Sequence, residues 1–304
     1  MKCSVRELYE QARDMLHEAG VDSPEWDARA LLREALHLTE ADFLTRQNEA
    51  VPEPVAEQAL ALVARRTERE PLAYILGYTE FYGLHFACDA RALVPRPETE
   101  GLVDAARRSC ERLGPDDLVV EVGTGSGVVA VTLAVLCPEL ALWATDTSTP
   151  ALELAAINAT YHRVSGRMRF LEGANLQPVL AEGAGEQVTV VVSNPPYVRS
   201  AELEGLQPEI TRYEPRMALD GGPDGLEIYC ALLAASAELP RLEAVHLEIG
   251  ADQAEDVTAL ARRHLPAARV EMARDLAGLP RVVSLHLPAR PVPAGAERLV
   301  AGGV

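Results

Sequence analysis

Hydrophobic residues recur at three- and four-residue intervals over roughly the first seventy positions, and that spacing predicts a small bundle of helices. Ser4 followed by Glu7 forms a capping-box signature, with Val5, Leu8, Ala12, Met15 and Leu16 on one face and Gly20 as the stop. Ser23 and Pro24 open a second helix at the N-cap and first-turn positions, turning Ala28, Leu31, Leu32 and Ala35 inward. Thr39 and Asp42 predict a short third helix. Pro52 to Arg66 predicts a fourth, with Val55, Ala59, Leu62 and Val63 on its apolar side. His17 and His37 have no catalytic partner nearby and read as surface or packing residues. The bundle holds no catalytic constellation.

From Tyr78 to Val94 the pattern changes to aromatic and β-branched residues broken by Gly83 and Asp89, which predicts a β-hairpin or two short strands. Pro95-Arg-Pro-Glu-Thr-Glu100 then stiffens the chain before a helix from Gly101 to Leu113, capped near Thr99; alone, the segment reads as a rigid linker. After Asp117 apolar runs alternate with helical stretches. Strands are predicted at 118–122, 140–145, 167–171, 187–193, 243–249, 268–273 and 281–287, and helices at 126–136, 149–160, 224–238 and 251–264. Alternation of this kind predicts an α/β fold: a mostly parallel sheet covered on both faces, with ligands at the carboxyl ends of its strands. The chain divides into a helical domain (1–77), a hairpin linker (78–97) and a sheet domain (98–289). A Pro-, Ala- and Gly-rich tail, 290–304, is expected to be disordered.

Composition narrows the partners. Over 304 residues, 48% are hydrophobic and 24% charged, as in an ordinary water-soluble protein. No apolar run reaches membrane-spanning length, and the amino-terminal segment lacks a signal-peptide core, so neither membrane insertion nor export is expected. The five cysteines are scattered and odd in number, which fits a reducing cytosol and gives no metal or disulfide framework. The formal charge is −18 and Lys2 is the only lysine. Tight binding to a nucleic acid needs cations that neutralise phosphates, so direct nucleic-acid binding is not expected. A protein partner with a basic surface fits better.

Chemistry concentrates behind the strands. The run Val188 to Ser193 delivers Asn194-Pro-Pro-Tyr197 to the end of a sheet. A carboxamide and a proline-fixed carbonyl can both accept hydrogen bonds from one planar NH2, while a tyrosine ring packs on the same plane. Upstream, Leu118 to Val122 runs into Gly123, Gly125 and Gly127, and a second strand ends in Asp146, placed to hold ribose hydroxyls. The glycines alone fit a dinucleotide or S-adenosylmethionine. Gly-x-Gly-x-Gly preceded by Glu121 departs from the dinucleotide pattern, and a carboxylate suits a sulfonium or amino group better than a pyrophosphate. With Asn194 the balance favours methyl transfer to a nitrogen; a dehydrogenase remains the second reading of the glycines.

These residues resemble the N5-glutamine methyltransferases of the release-factor type, the PrmC/HemK family. The likeness spans Ser23 to Ala28, Arg65 to Gly77, Glu80 to Phe86 and Leu93 to Glu100. It continues through Glu121 to Gly127, Asn194 to Tyr197, Tyr213 to Leu219, Leu247 to Gly250 and Asp275 to Arg281. The resemblance implies a Rossmann-like class I methyltransferase sheet, S-adenosyl-L-methionine as cofactor, and a protein substrate: the glutamine of the Gly-Gly-Gln motif in peptide-chain release factors. It implies that Glu121, Gly123, Thr124, Gly125, Ser126, Gly127 and Asp146 line the cofactor. Asn194, Pro195, Pro196 and Tyr197 would hold the glutamine, with Asn194 also beside the cofactor. Where the family often carries an acidic residue near the adenine, this chain reads Gly173-Ala174-Asn175, and Asn175 is the candidate there. The enzyme is expected to act as a cytoplasmic monomer. Methylation of a ribosomal-protein glutamine, amino methylation of a nucleic-acid base and a non-enzymatic cofactor-binding regulator remain as alternatives.

Overall fold

A computed structural model describes residues 3–288, so the tail expected at 290–304 lies outside the described residues. The bundle comprises α1 (Val5–Glu18), α2 (Pro24–Leu36), α3 (Glu40–Thr45), α4 (Glu53–Thr67) and α5 (Leu72–Leu76). Ser4 and Glu7 bond reciprocally at the start of α1, and Thr39 and Asp42 do so at α3, as the capping signature requires. Ser23 stands at the N-cap of α2, but its side chain makes no cap bond there; Pro24 alone sets the start. The single-turn α5, absent from the sequence reading, is too short for a periodic signal. A closed apolar core joins Leu8, Leu31, Leu32, Phe43, Ala59 and Val63.

A two-stranded antiparallel hairpin follows, β1 (Tyr78–Phe81) and β2 (Leu84–Ala87). Its two-residue turn needs positive φ at both positions, and Tyr82 accepts that conformation at 54° beside Gly83 at 71°. The Tyr82 amide donates to Glu100 at 2.7 Å and its phenol to Asp104 at 2.8 Å, which fixes the turn on the next helix. Phe81 and Phe86 enter the core of the sheet domain.

The sheet domain runs α6 (Glu100–Cys110), β3 (Leu118–Val122), α7 (Val128–Leu136), β4 (Ala141–Asp146), α8 (Thr149–Tyr161), β5 (Met168–Glu172), α9 (Gln177–Ala181) and β6 (Val188–Ser193). It continues with α10 (Pro208–Tyr213), α11 (Glu227–Ala237), β7 (Ala244–Glu248), α12 (Ala254–His264), β8 (Arg269–Arg274) and β9 (Pro280–His286). Strand order is β5-β4-β3-β6-β7-β9-β8; β9 runs opposite to the other six strands. Every residue of β3, β6 and β7 is buried, which explains why apolar residues dominate them on both faces and why Glu121, His246 and Glu248 are buried polar groups. Residues of α6, α7 and α8 cover one face, and residues of α9, α11 and α12 cover the other. The architecture is therefore the α/β sandwich that the alternation predicts, with a mostly parallel seven-stranded sheet.

Candidate active site

Strand register builds the site. Val122 on β3 lies level with Thr145 on β4 and Ser193 on β6, and Ser193 lies level with Leu247 on β7. One step further on, Asp146, Gly123, Asn194 and Glu248 form a row across the carboxyl ends of four parallel strands. Connections leave β3 toward β4 and β5 in one direction, whereas β6 and β7 lie on its other side. That reversal is where open α/β sheets bind ligands.

The loop after β3 is held from both sides. The amides of Gly123 and Thr124 donate to the Thr145 carbonyl at 2.8 and 3.0 Å. The Gly125 amide donates to Asp146 Oδ2 and the Ser148 amide to Oδ1, each at 2.9 Å. A carboxylate oxygen accepts more than one hydrogen bond, so Asp146 retains capacity for hydroxyls. Inside the loop, Glu121 Oε2 accepts from the Thr124 hydroxyl and from the Ala130 amide at 3.1 Å, tying the strand to α7. Burial pushes the Glu121 carboxyl up to about 8 against the pull of those two donors, and Asp146 adds to the rise.

Arranged around the row is a cavity of about 240 Å³. Of the predicted cofactor residues, Glu121, Gly123, Thr124, Gly125, Ser126, Asp146 and Asn175 line it. Gly127 does not; a Cβ there would stand 2.9 Å from the Ala155 Cβ, so its bare backbone makes room for α8 rather than for a ligand. Asn194 and Pro196 line the cavity, whereas Pro195 and Tyr197 stand outside that wall. Asn175 holds a left-handed backbone, φ 57°, and its carbonyl accepts the Thr145 hydroxyl at 2.9 Å. Its side-chain Oδ1 is buried and has no partner. A lone acceptor in that wall suits an exocyclic amine such as adenine's.

Sequence reasoning missed part of the wall. Arg91, Ala92, Leu93, Pro95 and Arg96 line the cavity from the linker, Thr99 from the start of α6, and Pro215, Met217, Ala218 and Asp220 from the long connection after β6. The signal was present in the paired prolines of residues 95–100, which read as stiffening alone. Asn158, fully buried on α8, staples the linker to the glycine loop. It exchanges bonds with Ala87 at 2.8 and 3.1 Å and donates to the Ser126 carbonyl at 2.8 Å.

The Asn194–Tyr197 backbone is clamped by the same long connection. Val198 and Gly221 lie on paired backbone, and a Cβ at Gly221 would meet the Pro196 carbonyl and Tyr197 Cα at 2.8 Å. Gln253 donates to the Tyr197 carbonyl at 3.0 Å. Asn194 Nδ2 donates to the Thr99 hydroxyl at 3.3 Å. Burial, then the Glu248 charge, raises the Tyr197 phenol above its ordinary range. The connection also grips the bundle: Glu209 pairs with Arg66 and Arg69, both at 2.8 Å, and Gln207 reaches Asp22 at 3.1 Å. Arg96 in the linker pairs with the buried Glu214 at 2.7 Å.

Comparison with known proteins agrees with this geometry. The PrmC N-terminal domain profile matches residues 7–77, and a methyltransferase small domain profile matches residues 107–210. A release factor glutamine methyltransferase of Nitratidesulfovibrio vulgaris is 40% identical over 278 residues, covering 91% of this chain and 92% of its own. One of Deinococcus radiodurans is 37% identical over 280 residues, covering 92% and 97%. The chain belongs to the release factor glutamine methyltransferase family. As a member of that family it is an S-adenosylmethionine-dependent protein-glutamine N-methyltransferase. Among solved structures, the catalytic domain of hMettl16 in complex with the MAT2A 3'UTR hairpin 1 superposes with a TM-score of 0.57 at 15% identity, covering 85% of this chain and 91% of that one. At that identity the likeness shows the shared fold. Among the described residues of this family member, no helix is long and apolar enough to cross a membrane.

Proposed function

We propose that the enzyme methylates the side-chain nitrogen of the glutamine in the Gly-Gly-Gln motif of peptide-chain release factors. The observation that carries the reading is the row in which Asn194 stands level with Gly123 and Asp146 at the sheet's switch point. Asp146 would hold the ribose hydroxyls, the Gly123–Ser126 loop the methionine portion, and the orphan Oδ1 of Asn175 the adenine amine. S-adenosylmethionine, when bound, supplies an electrophilic methyl on a sulfonium.

The residues of the chain do the rest. An amide nitrogen is a weak nucleophile because its lone pair is delocalised into the carbonyl. Asn194 Oδ1, on the cavity wall, would accept one of its two N–H bonds, and the Pro195 carbonyl, outside that wall, would accept the other from an acceptor seated past Asn194, polarising the nitrogen and fixing its direction. Positioning of this kind is worth up to about 7–11 kcal/mol. The same acceptors stabilise charge developing on nitrogen as its protons become more acidic, and one proton leaves to solvent during or after transfer. No dedicated strong base is required. Tyr197 would pack on the amide plane and exclude water.

The bundle, with the long connection that grips it, supplies a second surface to orient a protein acceptor, and the acidic chain favours a basic partner. Asn194→Ala tests the reading with labelled S-adenosylmethionine and purified release factor. Turnover should fall on the order of a hundredfold or more with cofactor binding largely intact. Near-normal turnover removes Asn194 from the chemistry. Parallel assays on ribosomal protein and on DNA separate the competing acceptors.

A further inference from the structure

Asn194 grips an amide only if its carboxamide presents oxygen to the acceptor. The oxygen and nitrogen ends of that side chain are nearly equal in shape, so a hydrogen-bond network behind it must break the tie. Behind it stand Thr99, at the start of α6, and Glu248, at the end of β7. Asn194 Nδ2 donates to Thr99 Oγ1. Glu248 stands beside Asn194 across the sheet, one step past the pairing of Ser193 with Leu247, and the Thr99 hydroxyl and the Asn194 amide both draw its carboxyl down. Glu248 is 2% exposed, and its Oε2 has no close partner. Its backbone is fixed on both sides: it lies level with Val282 on β9, and its carbonyl accepts the Tyr229 phenol at 2.8 Å.

A carboxylate can only accept, so the single hydroxyl proton of Thr99 is drawn toward it. That leaves the Thr99 oxygen to accept, and only the NH2 end of Asn194 can donate to it. The oxygen end then faces the cavity. We propose that Thr99 and Glu248 are positioning residues that set the polarity of the Asn194 carboxamide, a role that rests on the function proposed above. Neither touches the reacting atoms; each acts through Asn194.

Burial pushes the Glu248 carboxyl up to about 7, opposed by Thr99, Arg281 and Asn194 and reinforced by Glu98. Arg281 on β9 is the cation facing it, Glu98 the anion, and the Tyr197 phenol lies on the same side. Once protonated, Glu248 becomes a donor and the tie returns. Turnover should therefore decline below about pH 7, and Glu248→Gln should lack that acid limb.

Thr99→Val removes the hydroxyl at nearly constant shape, and Thr99→Ser keeps it. Thr99→Val and Glu248→Gln should each lower kcat for release-factor methylation on the order of tenfold or more, with S-adenosylmethionine Kd within about threefold of wild type. Thr99→Ser should recover most of what Thr99→Val loses. A second readout needs no turnover: the side-chain carboxamide NMR signal of Asn194, assigned by its absence in Asn194→Ser. It should shift in Thr99→Val and Glu248→Gln and stay in place in Thr99→Ser. An unmoved signal in both damaged variants, or Thr99→Ser as impaired as Thr99→Val, overturns the proposal. Should Glu248→Gln fail to fold, the two Thr99 variants decide alone. A wild-type enzyme inert on release factor would sink the functional reading while leaving the NMR comparison intact.

Discussion

Glu121 shows how one buried side chain can serve the loop and cost the fold. Its ordinary value of 4.5 rises to about 8 in the folded chain. Between those values the unfolded chain has released a proton that the folded chain still holds, so stability falls as pH rises through that window. Glu121→Gln should flatten the decline of Tm between about pH 5 and 8, read by scanning fluorimetry at several pH values. An unchanged slope would mean that another buried carboxyl dominates. At this scale the sequence was legible where a residue directly follows an apolar strand: Gly123, Asp146 and Asn194 announce themselves. Thr99 and Glu248 do not. Thr99 meets Asn194 across a separation of 95 residues, and Glu248 reaches it through strand register. A single strand pattern carries neither piece of information.

Elements were legible in proportion to their length and burial. The strands appear within about a residue of their predicted places, because apolar residues concentrate or alternate within them between polar turns. The short α5, α9 and α10 left no periodic trace, and the long connection after β6, marked only by the family likeness of Tyr213 to Leu219, gave no sign that it walls the cavity. The antiparallel setting of β9 is likewise a fact of pairing, invisible in its own residues. Gly127 belongs to this scale, because it governs how α7 meets α8. Its φ is 81° and an added Cβ would crowd Ala155, so Gly127→Ala should destabilise by about 1–3 kcal/mol. Thermal denaturation measures that loss, and a small effect would show that α8 can retreat without disturbing the fold.

Across the whole molecule, the bundle and the sheet are joined by charge as well as packing. Glu209 answers two arginines at once, and Arg66 keeps Asp27 at 2.7 Å when Glu209 is lost. Glu209→Ala should therefore cost less than the about 3–5 kcal/mol of a fully orphaned buried pair. Its mark should be faster proteolysis of the joint and a raised KM for release factor, with cofactor affinity little changed; an unaltered KM would make the contact purely structural. The row of strand ends has a different consequence. Adjacent strands stand about 4.8 Å apart, so β4, β3 and β6 act as a ruler of about 10 Å between Asp146, the proposed grip on the sugar, and Asn194, the proposed grip on the acceptor. Backbone hydrogen bonds engrave its marks, and no surface mutation can move them. On the proposed reading, changing which nitrogen is methylated is then a matter of rewriting the loop beyond β6, while the spacing between sugar and acceptor stays built into the sheet.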